Sequence, residues 1–195
     1  SNPECSLELV EGIQCDMGLK NMHFITNQKN KTAELDNPLV LLVESPIDNI
    51  RQIQSILEYV IKNNKSLLII GDMEAMPLST LAMNKLKGNI KINIIDAPTF
   101  GVNRKEIFDD LALLTGATVI NEDLGDDLDL IQPELLGTCV KSITSQEETI
   151  LHINETPERV LEIIDDIKKS GISIIDEKDE NKDYQNNKVK ILIKK

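Results

Sequence analysis

The chain has 195 residues, a size at which one domain can bury most of its apolar surface without disulfide staples. Its 33 acidic residues against 21 basic ones leave a net charge of -12, which repels phosphate backbones and anionic bilayers and argues against nucleic acid or a membrane surface as partner. No apolar run approaches the roughly 20 residues of a membrane-spanning helix, and Cys5, Cys15 and Cys139, without CxxC spacing, argue against a disulfide framework or zinc site and for a reducing compartment.

In chain order, residues 7–10 alternate as a strand would, whereas the Gly-punctuated stretch 10–26, with Met17, Met22 and Phe24, fits neither a strand nor a helix period. Residues 39–43 form a short β-rich run, and Asp48 is placed to cap a helix reaching Lys62. A strand at 65–70 closes at Gly71-Asp72, a second helix spans 77–86 and ends at Gly88, and 90–95 reads as a buried strand. A helix at 104–114 stops at Thr115-Gly116 and is followed by a strand at 118–120. Strand and helix alternating at crossover length predict a parallel α/β segment in the middle of the chain. Segments 137–143 and 149–153 alternate as antiparallel strands of a second layer, 158–169 is an amphipathic helix, 176–183 is a solvated charge run, and 189–193 begins a further apolar pattern.

Signatures of chemistry are sparse. The sequence contains no GxxxxGK[ST], GxGxxG, GxSxG or HExxH. His23 and His152 lack metal-ligand spacing, and Asp126, Asp127 and Asp129 lack the order of a calcium loop. One enzymatic alternative stands: Asp72 and Asp96 fall at the carboxyl ends of parallel strands, where α/β sheets bind small molecules.

Two helices carry more apolar circumference than one sheet can cover. Ile50, Ile53, Ile56, Leu57, Val60 and Ile61 span about 140°, and Leu78, Leu81, Ala82, Met83 and Leu86 about 200°, against the roughly 100° a core demands. Ser79, Thr80, Asn84 and Lys85 are left for the polar side of the second helix. Both helices follow adjacent strands with crossovers of one hand, so they lie side by side with a groove between them. Met22, Met76 and Met83 suit an adaptable binding surface.

The segments Val10-Glu11-Gly12-Ile13-Gln14-Cys15-Asp16-Met17-Gly18 and Phe24-Ile25-Thr26 resemble the entry into the apical domain of group I chaperonins, the GroEL-like family. Asn49-Ile50-Arg51, Lys65-Ser66-Leu67-Leu68-Ile69-Ile70, Ala97-Pro98-Thr99-Phe100-Gly101, Arg104-Lys105 and Leu114-Thr115-Gly116-Ala117-Thr118-Val119-Ile120 continue the match in order, from about residue 7 to 169. The resemblance implies a mixed β-sandwich with a central parallel α/β segment flanked by helices. It makes 1–175 the apical domain, 176–183 a charged insertion, and 184–195 the start of a helix returning toward an intermediate domain. It also implies binding of unfolded polypeptides and of a co-chaperonin mobile loop through Leu19, His23 and Phe24 in a loop, Gln54, Leu57 and Ile61 on the first groove helix, and Leu78, Ala82, Met83 and Asn84 on the second. Gln54, His23 and Ala82 stand where the family has Leu, Tyr and Val, which implies a shallower and more polar groove. By the same resemblance this segment has no catalytic residue, metal or cofactor of its own and is a monomer. The whole protein would then be an ATP-hydrolysing chaperonin using Mg and K, built as seven-membered homo- or hetero-oligomeric rings. An organelle lumen (plastid-type stroma or mitochondrial matrix) is the implied location, with the bacterial cytoplasm as the alternative.

Overall fold

A computed structural model describes residues 10–97, 104–153, 162, 173–176 and 189–193. Its central unit is built from the runs that read as uninterrupted apolar sequence. Strands β3 (Leu39–Val43), β4 (Ser66–Ile70), β5 (Lys91–Ile95) and β6 (Val119–Ile120) pair in parallel in the order β5-β4-β3-β6. Helices α1 (Gln54–Lys62), α2 (Ala75–Leu86) and α3 (Arg104–Thr115) make the crossovers. Because side chains alternate along a strand, the sheet buries both faces. Leu41, Val43, Leu67, Ile69, Ile92 and Ile94 pack with Ile56, Leu57, Val60, Leu81 and Ala82 of α1 and α2. Val40, Leu42, Leu68, Ile70 and Ile95 face the other way, onto Ile107, Phe108, Leu111 and Leu114 of α3.

A second sheet lies on the α3 side, in the order β10-β11-β1-β9-β8-β2. Its strands are β1 (Val10–Cys15), β2 (Ala33–Asp36), β8 (Lys141–Thr144), β9 (Thr149–His152), β10 (Ser173–Asp176) and β11 (Val189–Ile193), and short β7 (Gly137–Thr138) joins β3 instead. Ile13, Cys15, Leu35 and Leu151 of this sheet share one core with α3. A buried relay crosses the join: Asn93 Nδ2 donates to Thr144 Oγ1 (2.9 Å), whose hydroxyl meets Thr149 Oγ1 (2.9 Å), which donates to the Met17 carbonyl (2.8 Å). Each hydroxyl is satisfied by the next, so the polar bridge avoids the cost of orphaned groups at those atoms.

The fold is mixed α/β with a parallel centre, as expected, and four expectations are corrected. Residues 10–15 are a strand: Ile13 and Cys15 point inward in alternation, but a register shift between Val10 and Gly12 interrupts the period. Gly12 permits close pairing there, since a Cβ would stand 2.6 Å from the Leu151 carbonyl of β9. Residues 189–193 are a strand and not the start of a helix, pairing antiparallel with β1 and parallel with β10. Their Val-Lys-Ile-Leu-Ile sequence favours the extended state. Segment 137–143 divides between two sheets as β7 and β8. Finally, Asn49 and not Asp48 caps the first helical segment, accepting the Arg51 amide at 2.9 Å at the head of a 3₁₀ turn, Ile50–Ile53, that leads into α1. The expected helix at 158–169 lies outside the described residues except for helical Glu162, as does the charge run beyond Asp176. Among the described residues no helix is long and apolar enough to cross a membrane.

Candidate functional site

The face carrying α1 and α2 is bounded on one side by the segment after β6 and on the other by the chain that precedes β2. Tyr59, Ser55 and Lys62 of α1 border Asp129–Pro133 of the former across a cleft of about 350 Å³. The opposite edge of α1, with Leu57 and Ile61, is therefore turned toward α2. Beyond α2 sits a 3₁₀ turn, Met22–Phe24, capped by Asn21, whose side chain accepts the His23 amide at 2.8 Å. Lys85 clamps helix and turn together by donating to the Ile25 carbonyl at 3.1 Å, and partial desolvation there lowers its pKa from the usual lysine value.

The turn is held from below as well. Residues 27–32 fold back so that Thr32 Oγ1 (2.7 Å) and Asn27 Nδ2 (3.0 Å) donate to Glu34 Oε2, while Lys141 Nζ lies 3.4 Å from Oε1. The hydrogen bond from Thr32, then that from Asn27, holds the Glu34 carboxyl below its ordinary pKa of 4.5. A depressed carboxyl pKa stabilises the fold above the unfolded value, and that contribution is lost as pH falls through the folded value. Glu34→Gln is thus expected to cost about 0.5–1 kcal/mol at neutral pH, with the gap from wild type closing below pH 4.5 in urea titrations across pH.

The ten expected contact residues divide by exposure. Ile61 (53% exposed), Met83, His23 and Gln54 stand in solvent, and Leu19, Leu78 and Asn84 are half-buried. Leu57 is buried, retaining 8% of its surface, and Phe24 and Ala82 are sealed inside the core with Leu41, Val43 and Ile92. Phe24 and Ala82 are corrected from contact residues to supports of the face. Two polar positions are engaged within their helices: Gln54 Nε2 donates to Glu58 Oε1 at 3.1 Å, and Asn84 Nδ2 to the Thr80 carbonyl at 2.9 Å. The structure adds Met22, Met76 and Leu86, all exposed. The sequence signal for Leu86 is the surplus apolar arc of α2, which identifies an excess without saying which third of the helix points outward; Met22, on the turn, and Met76 are signalled by their adaptable thioether side chains.

The carboxylates of the enzymatic alternative serve as cross-links. Asp72 accepts the Ala97 amide (3.1 Å) and pairs with Arg104 (3.3 Å), which also donates to the Glu44 carbonyl at 2.6 Å. Asp96 pairs with Lys20 at 3.0 Å. Among the described residues no three His, Cys, Asp or Glu side chains gather as a metal site. The Cys15 and Cys139 thiols are each pushed up to about 12 by burial.

Fold and face together define a mixed α/β unit that presents apolar side chains on two helices and an adjoining turn. No protein-family model matches the chain. It is 41% identical over 167 residues to the mitochondrial chaperonin CPN60-1 of Cucurbita maxima, covering 85% of this chain and 29% of that protein. It is 45% identical over 145 residues to the mitochondrial chaperonin CPN60 of Brassica napus, covering 74% of this chain and 25% of the relative. Chaperonin GroEL of Carsonella ruddii (strain PV) is 45% identical over 149 residues, 76% of this chain and 28% of its own. The chain belongs with the GroEL-like chaperonins, and it spans about a quarter of the length of these relatives.

Proposed function

We propose that this chain is the polypeptide-binding, apical part of an ATP-dependent chaperonin, and that non-native chains and a co-chaperonin loop compete for the face of α1, α2 and the Met22–Phe24 turn. One observation supports the reading above others. Of nine large apolar side chains standing in solvent among the described residues, Met22, Ile61, Met76, Met83 and Leu86 fall on these three neighbouring elements. Single exposed hydrophobes are ordinary, but contiguous ones mark surfaces that something else covers. Burying such a side chain is worth about 1.5–3 kcal/mol, partly offset by ordering an extended client. Several together give weak, sequence-tolerant capture.

ATP, Mg and K would act elsewhere in the protein, since the match covers only 29% and 25% of the two relatives' own length. Rings of seven such subunits would line up several faces, turning weak single contacts into avidity. The organelle matrix is the proposed location, since relatives named as mitochondrial match this chain, with a bacterial cytoplasm as the alternative.

Ile61→Glu and Met83→Glu test the face directly. Both side chains are solvent-exposed, so each variant is expected to stay within about 0.5 kcal/mol of wild-type stability. Affinity for a fluorescent, permanently unfolded polypeptide is expected to fall about tenfold, or 1.4 kcal/mol. Unchanged affinity in both variants would remove this surface from the mechanism.

A further inference from the structure

The sulfur chemistry of the described chain divides sharply by location. Cys15 and Cys139 are buried free thiols, and Met17 is buried with 8% of its surface left. Met73 is half-buried against the core beneath α1 and α2. Met22, Met76 and Met83 are 63%, 81% and 43% exposed, and all three belong to the apolar face just described. Met76 and Met83 lie seven residues apart on α2, within about 20° of one another around its axis, and Met22 lies on the turn packed against that helix.

We infer that Met22, Met76 and Met83 form a reversible oxidation switch: a peroxide converts these thioethers to sulfoxides and releases bound polypeptide from the face. The inference rests on the proposed polypeptide-binding role. In the step itself the sulfur lone pair attacks one peroxide oxygen, the O–O bond breaks, and an S–O bond forms. Sulfur is oxidised by two electrons and the peroxide is reduced to water or the corresponding alcohol. A thiol-dependent reductase reverses it, returning the oxygen as water while two thiols become a disulfide.

The geometry gives the switch its selectivity. Peroxide needs access to sulfur, which the three face methionines offer and Met17 does not. Thiols compete as thiolates, and among the described residues burial holds Cys15 and Cys139 far on the protonated side at neutral pH; Cys5 lies outside the described residues and is replaced by serine (Cys5→Ser) in every protein of the test. A sulfoxide replaces an adaptable apolar tip with a strongly polar oxygen. An oxidised face therefore has to desolvate three polar groups to accept the same greasy segment. The fold itself does not depend on these side chains, because none of the three enters either core cluster.

The test uses the 195-residue chain and a labelled, permanently unfolded polypeptide free of methionine and cysteine, before and after limited hydrogen peroxide. Peptide mapping is expected to find sulfoxide at Met22, Met76 and Met83 ahead of Met17, with the near-ultraviolet dichroism unchanged and client affinity reduced about tenfold. Methionine sulfoxide reductase is expected to restore binding. The triple variant Met22→Leu, Met76→Leu, Met83→Leu has no thioether left at these positions, so its own affinity, whatever its starting value, is expected to be the same before and after peroxide. If untreated protein binds and fully oxidised protein binds equally well, or if the triple variant loses affinity on peroxide as wild type does, the switch is refuted while the binding role stands. An untreated wild type that binds no client overturns both.

Discussion

Replacing Phe24 with alanine is expected to destabilise the chain by about 3–5 kcal/mol, enough to unfold a large share of it at physiological temperature. Phe24 follows two exposed residues, Met22 and His23, and the turn drives its ring into the core cluster that also holds Ala33, Leu41 and Val43, where none of its surface reaches water. Truncation leaves a cavity under a turn that cannot collapse into it. Asn21 caps that turn and the Lys85 bond to Ile25 anchors it to α2. Chemical denaturation should show the midpoint falling with an unchanged slope, the mark of lost stability. Client binding should then track the folded fraction and no more. That outcome differs in kind from Ile61→Glu, which is expected to remove binding from a folded protein. If Phe24→Ala keeps wild-type stability and loses affinity, the ring is a contact residue and the burial described above is wrong for the free chain.

The central α/β segment was legible because parallel strands covered on both faces must be apolar at every position. Leu39–Val43 and Ser66–Ile70 advertise this plainly. The outer sheet was harder to read. Gly12 interrupts the pattern of β1 while making its approach to β9 possible, so the residue that hides the strand is the one that lets it pair. The split of 137–143 is a tertiary decision: Gly137 and Thr138 find β3, and the chain then leaves that sheet to pair with β2 and β9.

The candidate face shows a similar limit. A helical wheel identified too much apolar circumference on α2 but placed Lys85 on its wet side. In the folded chain Leu81, Lys85, Leu78 and Ala82 fall within an arc of about 100°, directed inward. Lys85 is tolerated there because its stem packs while the ammonium reaches the Ile25 carbonyl. Rotating the inward arc this way turns Met76, Met83 and Leu86 out to solvent. Periodicity gives the width of the apolar arc; only the neighbouring turn fixes its orientation.

Gly18→Ala carries the second large expected effect and joins the two sheets to the candidate face. A Cβ at position 18 would collide with the Gln146 carbonyl and stand 2.8 Å from the Glu147 nitrogen, both backbone groups of the tight turn between β8 and β9. Three ties hold the chain here: Thr149 Oγ1 to the Met17 carbonyl (2.8 Å), the Leu19 amide to the Ser145 carbonyl (2.9 Å), and Lys20 to Asp96 (3.0 Å). Relieving the clash means lifting residues 17–20, which breaks the first two bonds and leaves the buried Thr149 hydroxyl with Thr144 as its one remaining partner among the described residues. Together these should cost about 2–4 kcal/mol. By contrast, Gly125→Ala faces open space and meets only the penalty of its φ of 97°, about 1 kcal/mol. Because Leu19 and the Met22–Phe24 turn follow directly in the chain, Gly18→Ala should also weaken client binding beyond its loss of folded protein, and amide exchange at Leu19 should accelerate before that of β4. Equal, small losses in the two glycine variants would show that the contact of residues 17–20 with the β8–β9 turn is looser than these distances require, and that the turn beneath α2 is positioned by Lys85 and the Glu34 cluster alone.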